Sequence, residues 1–197
     1  MHKITAVIFD FGDVLVSDTS KEYQNRYSGS WTKKQALAFE KICRMDDLNK
    51  CTVDQYCRLL QAEVTPSVSQ KEVKKVITGF RLFKNMWSLA NQLSKTHRVV
   101  ILSNNSKNGP DFIAKKLKIN YKKIPFINSS KVGLRKPDPK IYKYALNKFG
   151  LKPQETLLVD DKERNLKPAK RLGIHTFRYK KNYLELCAFL NRHGVKA

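Results

Sequence analysis

Two short apolar runs, one near each end of the chain, stop at aspartate residues. Residues 4–9 lead into Asp10, and residues 156–160 lead into Asp161. Short apolar runs bounded by polar or turn residues are typical of buried strands in a parallel sheet. Open α/β sheets bind their ligands at the carboxyl ends of the strands. Carboxylates brought there from distant segments indicate a hard cation such as Mg²⁺ beside a phosphorylated ligand.

The composition is that of a globular protein with one substantial core, or a core and a small accessory lobe. Of its 197 residues, 41% are hydrophobic, and none of the apolar runs approaches the roughly 18 residues of a membrane helix. Residues 1–5 run directly into the first strand, which leaves no room for a signal peptide. The four cysteines lack the paired spacing of zinc sites, so we interpret them as reduced thiols of a cytoplasmic protein.

The positive charge of the chain is unevenly distributed. The formal net charge is +22, and residues 84–152 alone contain 16 basic and 2 acidic side chains. Such a field attracts anions and could hold nucleic acid through its phosphates. Most of these residues are lysines on amphipathic helices, however, and no nucleic-acid-binding motif or aromatic-basic platform accompanies them. We therefore favour a solvated lysine surface over a nucleic-acid partner. The oligomeric state, monomer or dimer, is left open.

The segment between the first two strands is helical. Residues 12–20 form a polar loop, and an apolar stripe predicts a helix over residues 33–45. Thr52 and Ser69 each precede Gln or Glu by three positions, which is the capping-box spacing of a helix start. A further helix is predicted from about residue 82 to 95. Because this lobe is small, we expect it to pack as a lid on the main domain.

From residue 98 onward, strands alternate with helices. The predicted strands are residues 98–102, 124–128, 156–160 and 174–177, and the predicted helices are residues 110–117, 139–149, a helix ending near 172, and 183–192. This alternation specifies right-handed βαβ units and a parallel sheet.

Four segments at the strand ends carry a family resemblance. They are residues 10–15, residues 103–105, residues 135–139 with the sequence Arg-Lys-Pro-Asp-Pro, and residues 160–165 with the pattern Asp-Asp-x-x-x-Asn. In this order they resemble the haloacid dehalogenase-like (HAD) hydrolases, most closely the subgroup with a helical cap after the first strand and paired aspartates in the last motif. The resemblance spans the whole chain. It implies an α/β fold with a Rossmann-like, doubly wound parallel sheet of strand order 3-2-1-4-5. It also implies a catalytic core of residues 1–15 and 90–197, with a cap of residues 16–89.

The resemblance also implies roles for the acidic residues. Asp10 would be the nucleophile that forms an aspartyl-phosphate. Mg²⁺ would be held by Asp10, the Gly12 carbonyl and Asp161. Asp160 could be a ligand in place of Asp161, but we expect it to lie behind the ligands, because Asn165 aligns with the family's downstream acidic position when Asp161 binds the metal.

Two more residues complete the implied site. The Ser103 hydroxyl and the Asn104 backbone N–H would bind the phosphate, and Lys136 would supply a fixed positive charge. Arg135 is predicted to be exposed. Several cap residues could contact the substrate or simply pack or face solvent: Tyr23, Arg26, Tyr27, Trp31 and Arg44.

One position departs from the family pattern. HAD phosphatases usually carry a second aspartate two residues after the nucleophile, where it serves as general acid and base. Here that position is Gly12, and an aspartate follows one residue later as Asp13. A one-residue shift changes where a side chain points, so Asp13 cannot simply take over the role, and roughly 10²–10⁴-fold of rate depends on that role. Three outcomes remain: Asp13 or a cap residue substitutes, water suffices with activated leaving groups, or the protein is a poor catalyst.

The leading functional prediction is a Mg²⁺-dependent phosphatase of a small soluble phosphorylated metabolite. A 2-haloacid dehalogenase and a phosphomutase are weaker alternatives, since the former needs no metal and the latter calls for the missing acid. From another class, a non-catalytic anion- or nucleic-acid-binding protein on a degenerate HAD scaffold stays possible because of Gly12 and the basic segment.

Overall fold

The computed structural model describes residues 3–196. Met1 and His2, predicted to lead into the first strand, and Ala197, the last residue of the predicted core, lie outside the described residues. No helix in the described range is long and apolar enough to cross a membrane. The four cysteines are free thiols.

A five-stranded parallel sheet forms the centre of the molecule. Its strands are β1 (Ala6–Phe9), β2 (Arg98–Ser103), β3 (Phe126–Asn128), β4 (Thr156–Asp160) and β5 (His175–Arg178). Their order is β3-β2-β1-β4-β5, which confirms the predicted order 3-2-1-4-5. Phe9 of β1 lies beside Ile101 of β2 and Val159 of β4. This register brings Asp10, Ser103 and Asp160 to the same edge of the sheet.

Ten α-helices accompany the sheet in the described residues. They are α1 (Thr19–Tyr27), α2 (Lys33–Asp47), α3 (Val53–Leu59), α4 (Gln70–Ile77), α5 (Lys84–Leu93), α6 (Gly109–Leu117), α7 (Ser129–Val132), α8 (Pro139–Phe149), α9 (Glu163–Arg171) and α10 (Tyr183–Arg192). Thr52 and Ser69 are the N-cap residues of α3 and α4, as the capping-box spacing predicts.

Both faces of the sheet are covered, so the central strands are buried on each side. Alternate residues of a strand point to opposite faces. Accordingly Val7 and Phe9 pack with α5, α6 and α10, whereas Ile8 packs with α8 and α9. The continuous apolar runs of β1 and β4 follow from this two-sided burial.

A separate apolar cluster joins α1, α2, α3 and α4 above the sheet. Its buried side chains run from Tyr23 to Ile77, whereas Met86 and Leu89 of α5 pack with the sheet instead. We propose that these four helices are the cap. The predicted division into residues 16–89 and the remainder stays a proposal, and the packing of α5 favours assigning residues 84–89 to the core.

Several elements differ from the sequence prediction, most of them by one or two residues at an end. Helix α1 was not predicted and starts inside the expected loop of residues 12–20; it buries only Thr19 and Tyr23, so it has no apolar stripe to reveal it. Strand β1 begins at Ala6 rather than residue 4. Strand β3 begins at Phe126 rather than residue 124, because Pro125 has no N–H to donate to a ladder.

Candidate active site

A cleft of about 960 Å³ lies between the cap and the carboxyl edge of the sheet. The core contributes Asp10, Gly12, Ser103, Lys136 and Asp161 to its wall, as the sequence predicts. On the cap side the wall includes residues of α1, α2 and α3. The strand-end residues therefore converge on one cleft.

Lys136 is the central cation of this edge. Its Nζ lies 2.8 Å from Asp10 Oδ1 and 2.7 Å from Asp160 Oδ2, and the residue is only 2% exposed. The Asn104 side chain fixes the Lys136 backbone: Asn104 Oδ1 accepts from Lys136 N at 2.8 Å, and Asn104 Nδ2 donates to the Lys136 carbonyl at 2.8 Å. Only the backbone N–H of Asn104 was predicted to have a role. The side chain's contact with Lys136 joins the loops that follow β2 and α7.

The two carboxylates on Lys136 differ in acidity. Burial raises the pKa of Asp10 to about 8, although the Lys136 ammonium opposes this change. Burial also acts to raise the pKa of Asp160, but the Lys136 ammonium and further N–H donors outweigh it and hold that pKa below its usual range. Burial disfavours the charged form of Lys136 itself, yet Asp10 and Asp160 raise its pKa overall. The lysine therefore stays protonated between them.

Both carboxylate oxygens of Asp160 accept hydrogen bonds from protein donors. Its Oδ1 accepts from the Lys162 backbone N–H at 2.9 Å, and Asn165 Nδ2 lies 2.9 and 3.0 Å from its two oxygens. With Lys136 also bound, Asp160 holds the ammonium in place and has little capacity for another ligand. This placement favours the predicted position of Asp160 behind the metal ligands.

Asp161 differs from Asp160 because one of its carboxylate oxygens accepts no hydrogen bond. Oδ2 accepts from Lys21 Nζ at 3.0 Å, while the buried Oδ1 has no hydrogen-bond partner. One oxygen each of Asp10, Asp160 and Asp161 lie within 4.8 Å of one another. Since burial raises the pKa of Asp161, a cation here would stabilise its charged form. The oxygen-rich donor set fits a hard divalent ion, with Asp10 and Asp161 as its available carboxylates.

Asp13 does not face the cleft. Its backbone has φ of +56°, in the left-handed region. Its Oδ1 accepts from the Asp18 backbone N–H at 3.2 Å, and its Oδ2 lies 2.7 Å from Lys21 Nζ. Among the described residues that line the cleft are Gly12 and Asp18, but not Asp13. The geometry thus gives Asp13 a structural partner in α1 rather than access to a bound phosphate.

The prediction that Arg135 is exposed is wrong. The side chain of Arg135 is only 25% exposed, and its Nη2 lies 2.5 Å from Asp47 Oδ2 at the end of α2. Ser129 Oγ also donates to the Asp47 carbonyl at 2.6 Å. These contacts tie α2 to the core. The sequence contains no signal for them, because Asp47 and Arg135 are 88 positions apart.

Most of the aromatic and basic cap residues that could contact the substrate form contacts within the cap instead. Tyr23 and Trp31 pack in the cap's apolar cluster with Tyr27, and Arg26 pairs with Glu72. Arg44 is the one of these candidates that lines the cleft among the described residues.

Comparison with known proteins agrees with this geometry. The haloacid dehalogenase-like hydrolase family matches residues 4–173. The D-ribitol-5-phosphate phosphatase of Bacteroides thetaiotaomicron is 26% identical over 189 residues, which cover 88% of this chain and 91% of that protein. The Acyl-CoA dehydrogenase family member 10 of Mus musculus is 26% identical over 191 residues; the match covers 88% of this chain but only 18% of the mouse protein.

Solved structures share the fold. A HAD family enzyme from Bacteroides thetaiotaomicron, crystallised with magnesium and inorganic phosphate, has a TM-score of 0.70 and 20% identity, over 91% of this chain and 96% of that one. Because the family match covers most of the chain, the protein belongs to the haloacid dehalogenase-like hydrolases.

Proposed function

We propose that the protein is a Mg²⁺-dependent phosphatase that hydrolyses a small soluble phosphorylated metabolite through an aspartyl-phosphate on Asp10. The observation that carries the proposal is the pairing of Asp10 with the buried Lys136 ammonium, beside the unpartnered oxygen of Asp161. The phosphatase named among the relatives supports the same reaction class. We also propose a cytoplasmic location, with which four free thiols are consistent.

The residues at the strand ends each have a defined task in this proposal. Asp10 attacks the phosphorus, and the Ser103 hydroxyl and Asn104 N–H hold phosphate oxygens. Lys136 offsets the negative charge that accumulates as the phosphoryl group approaches Asp10. Asp10, the Gly12 carbonyl and Asp161 would hold Mg²⁺, which when bound supplies Lewis-acid stabilisation of the phosphoryl oxygens.

The cleft suits a small substrate. Its volume of about 960 Å³ lies at the upper end of typical small-molecule sites, and part of that space opens to solvent. The cap forms one wall of the cleft, which reduces the access of water to the reacting group.

The direct test is a panel of small phosphomonoesters assayed for phosphate release with Mg²⁺ and, in parallel, with EDTA. We expect turnover of at least one sugar or polyol phosphate that depends on Mg²⁺. Halide release from 2-haloacids in the presence of EDTA would instead support a dehalogenase. Absence of any turnover, together with salt-sensitive binding of nucleic acid, would support the binding-protein alternative.

Metal binding can be tested without turnover. We expect Mg²⁺ to raise the unfolding temperature of the unsubstituted protein, because a ligand that binds only the folded state stabilises it. Asp161→Asn should remove most of that increase, since it replaces a charged ligand. The exposed Asp54→Asn in the cap should keep it. A Mg²⁺-induced shift in D161N equal to that of the unsubstituted protein would contradict the assignment of Asp161.

A further inference from the structure

The space beside Gly12 is filled by a side chain from elsewhere in the chain. A Cβ built on Gly12 would lie 3.6 Å from Asp18 Cβ and 3.9 Å from Asp18 Oδ2. Asp18 lines the cleft, and its side chain is 15% exposed. The carboxylate that this chain lacks at position 12 is therefore present in the same neighbourhood, delivered from the start of the cap.

Asp18 is held in place from two directions. As the N-cap of α1, it accepts through Oδ1 from the Lys21 backbone N–H at 3.1 Å. Its Oδ2 lies 2.8 Å from Lys162 Nζ, in the loop directly after Asp161. These contacts join the loops after β1 and β4, so Asp18 is positioned on the same strand edge as the nucleophile.

We propose that Asp18 is the general base that activates water for hydrolysis of the aspartyl-phosphate. This inference rests on the proposed function. In this step the water oxygen forms a bond to phosphorus while the bond between phosphorus and Asp10 breaks. The water proton passes to Asp18, and Asp10 is regenerated as a carboxylate.

Asp18 rather than Asp13 is in position to contact a water molecule in the cleft, because Asp18 lines the cleft. Asp13, the other carboxylate near Gly12, is turned toward Lys21 and is absent from the described cleft lining.

The test compares Asp18→Asn with the unsubstituted protein. Asparagine is also a good N-cap, so we expect α1 to persist and circular dichroism to be unchanged. Turnover should fall by about 10²–10⁴-fold, the usual contribution of a general base. Because the defect lies in the second step, the covalent phosphoryl adduct on Asp10 should accumulate and be visible by intact-protein mass spectrometry.

A rescue variant separates the chemical role from a structural one. Gly12→Asp combined with Asp18→Asn places a carboxylate at the family position, where a Cβ makes ordinary contacts. We expect it to restore at least about tenfold of the lost turnover, within the range that a base contributes, and to abolish adduct accumulation. The surface variant Asp54→Asn should match the unsubstituted protein.

The outcomes are distinguishable. Normal turnover by D18N would overturn the role of Asp18 and leave the phosphatase proposal intact. Reduced turnover without adduct accumulation and without rescue would also overturn it. If the unsubstituted protein neither turns over any phosphomonoester nor forms an adduct, both the proposed function and this inference fail.

Discussion

Replacing Asp10 with asparagine is expected to abolish phosphate release. Asparagine keeps the size of the side chain but removes the nucleophile, so the loss should be at least about 10⁴-fold, in line with removal of other covalent catalysts. The measurement is Mg²⁺-dependent phosphate release from p-nitrophenyl phosphate and from the best substrate of the panel. No covalent adduct should form. Asp54→Asn, an exposed cap substitution, serves as the control with unchanged activity.

The Asp10→Asn variant should have a free energy of unfolding no lower than that of the unsubstituted protein. Burial raises the pKa of Asp10 from 3.8 to about 8, so ionising it costs folding free energy. The folded state holds this proton between pH 4 and 8 while the unfolded chain releases it, and the stability of the unsubstituted protein therefore falls as the pH rises through that window. In EDTA, the unfolding temperature of D10N should exceed that of the unsubstituted protein increasingly toward pH 8. A lower value at pH 8 would contradict this account.

Replacing Lys136 with methionine is expected to damage both activity and stability. Methionine fills a similar volume but leaves the ionised Asp160 buried without its ammonium partner, and it removes the hydrogen-bond donor to Asp10. Breaking a buried ion pair in this way costs about 3–5 kcal/mol. Activity should fall by about 10³-fold or more, because the charge opposite the transferring phosphoryl group is lost.

The matched control is Lys143→Met on the exposed face of α8. Urea unfolding reports the stability of both variants, and phosphate release is measured at a temperature where circular dichroism shows K136M to be folded. If K136M unfolds at the same urea concentration as K143M, the buried ion pair contributes nothing. If it retains activity within a few-fold, Lys136 has no part in the reaction.

Local patterns identified the strand ends and their acidic and basic residues. Apolar runs such as residues 6–9 are visible because both faces of the strand are buried, which favours an apolar side chain at every position. The helix Pro139–Phe149 matched its predicted bounds, since Asp138 caps its start and Gly150 follows its end. Helix α1 was not predicted because its sequence is mostly polar and only Thr19 and Tyr23 are buried, which leaves no apolar stripe to indicate a helix.

The sequence did not predict which charged side chains pair with each other. Asp160 and Asp161 are adjacent and chemically identical in the sequence. Only the fold distinguishes them, because Lys136, Lys162 and Asn165 surround Asp160, whereas Asp161 keeps one buried oxygen without a partner. The predicted preference for Asp161 as a ligand came from family resemblance and stays a prediction.

The amino-acid sequence by itself determined the sheet, its flanking helices and the set of groups at the strand ends, because these depend on local periodicity and on the short spacing within motifs. Tertiary structure alone decided which of those groups pair, that Asp13 turns away, that Asp18 takes the space beside Gly12 and that Arg135 joins Asp47. The physical reason is that electrostatic pairing acts through space. Its partners lie up to 168 positions apart, as for Lys181 and Asp13, and no local sequence pattern indicates which distant charge will be nearby.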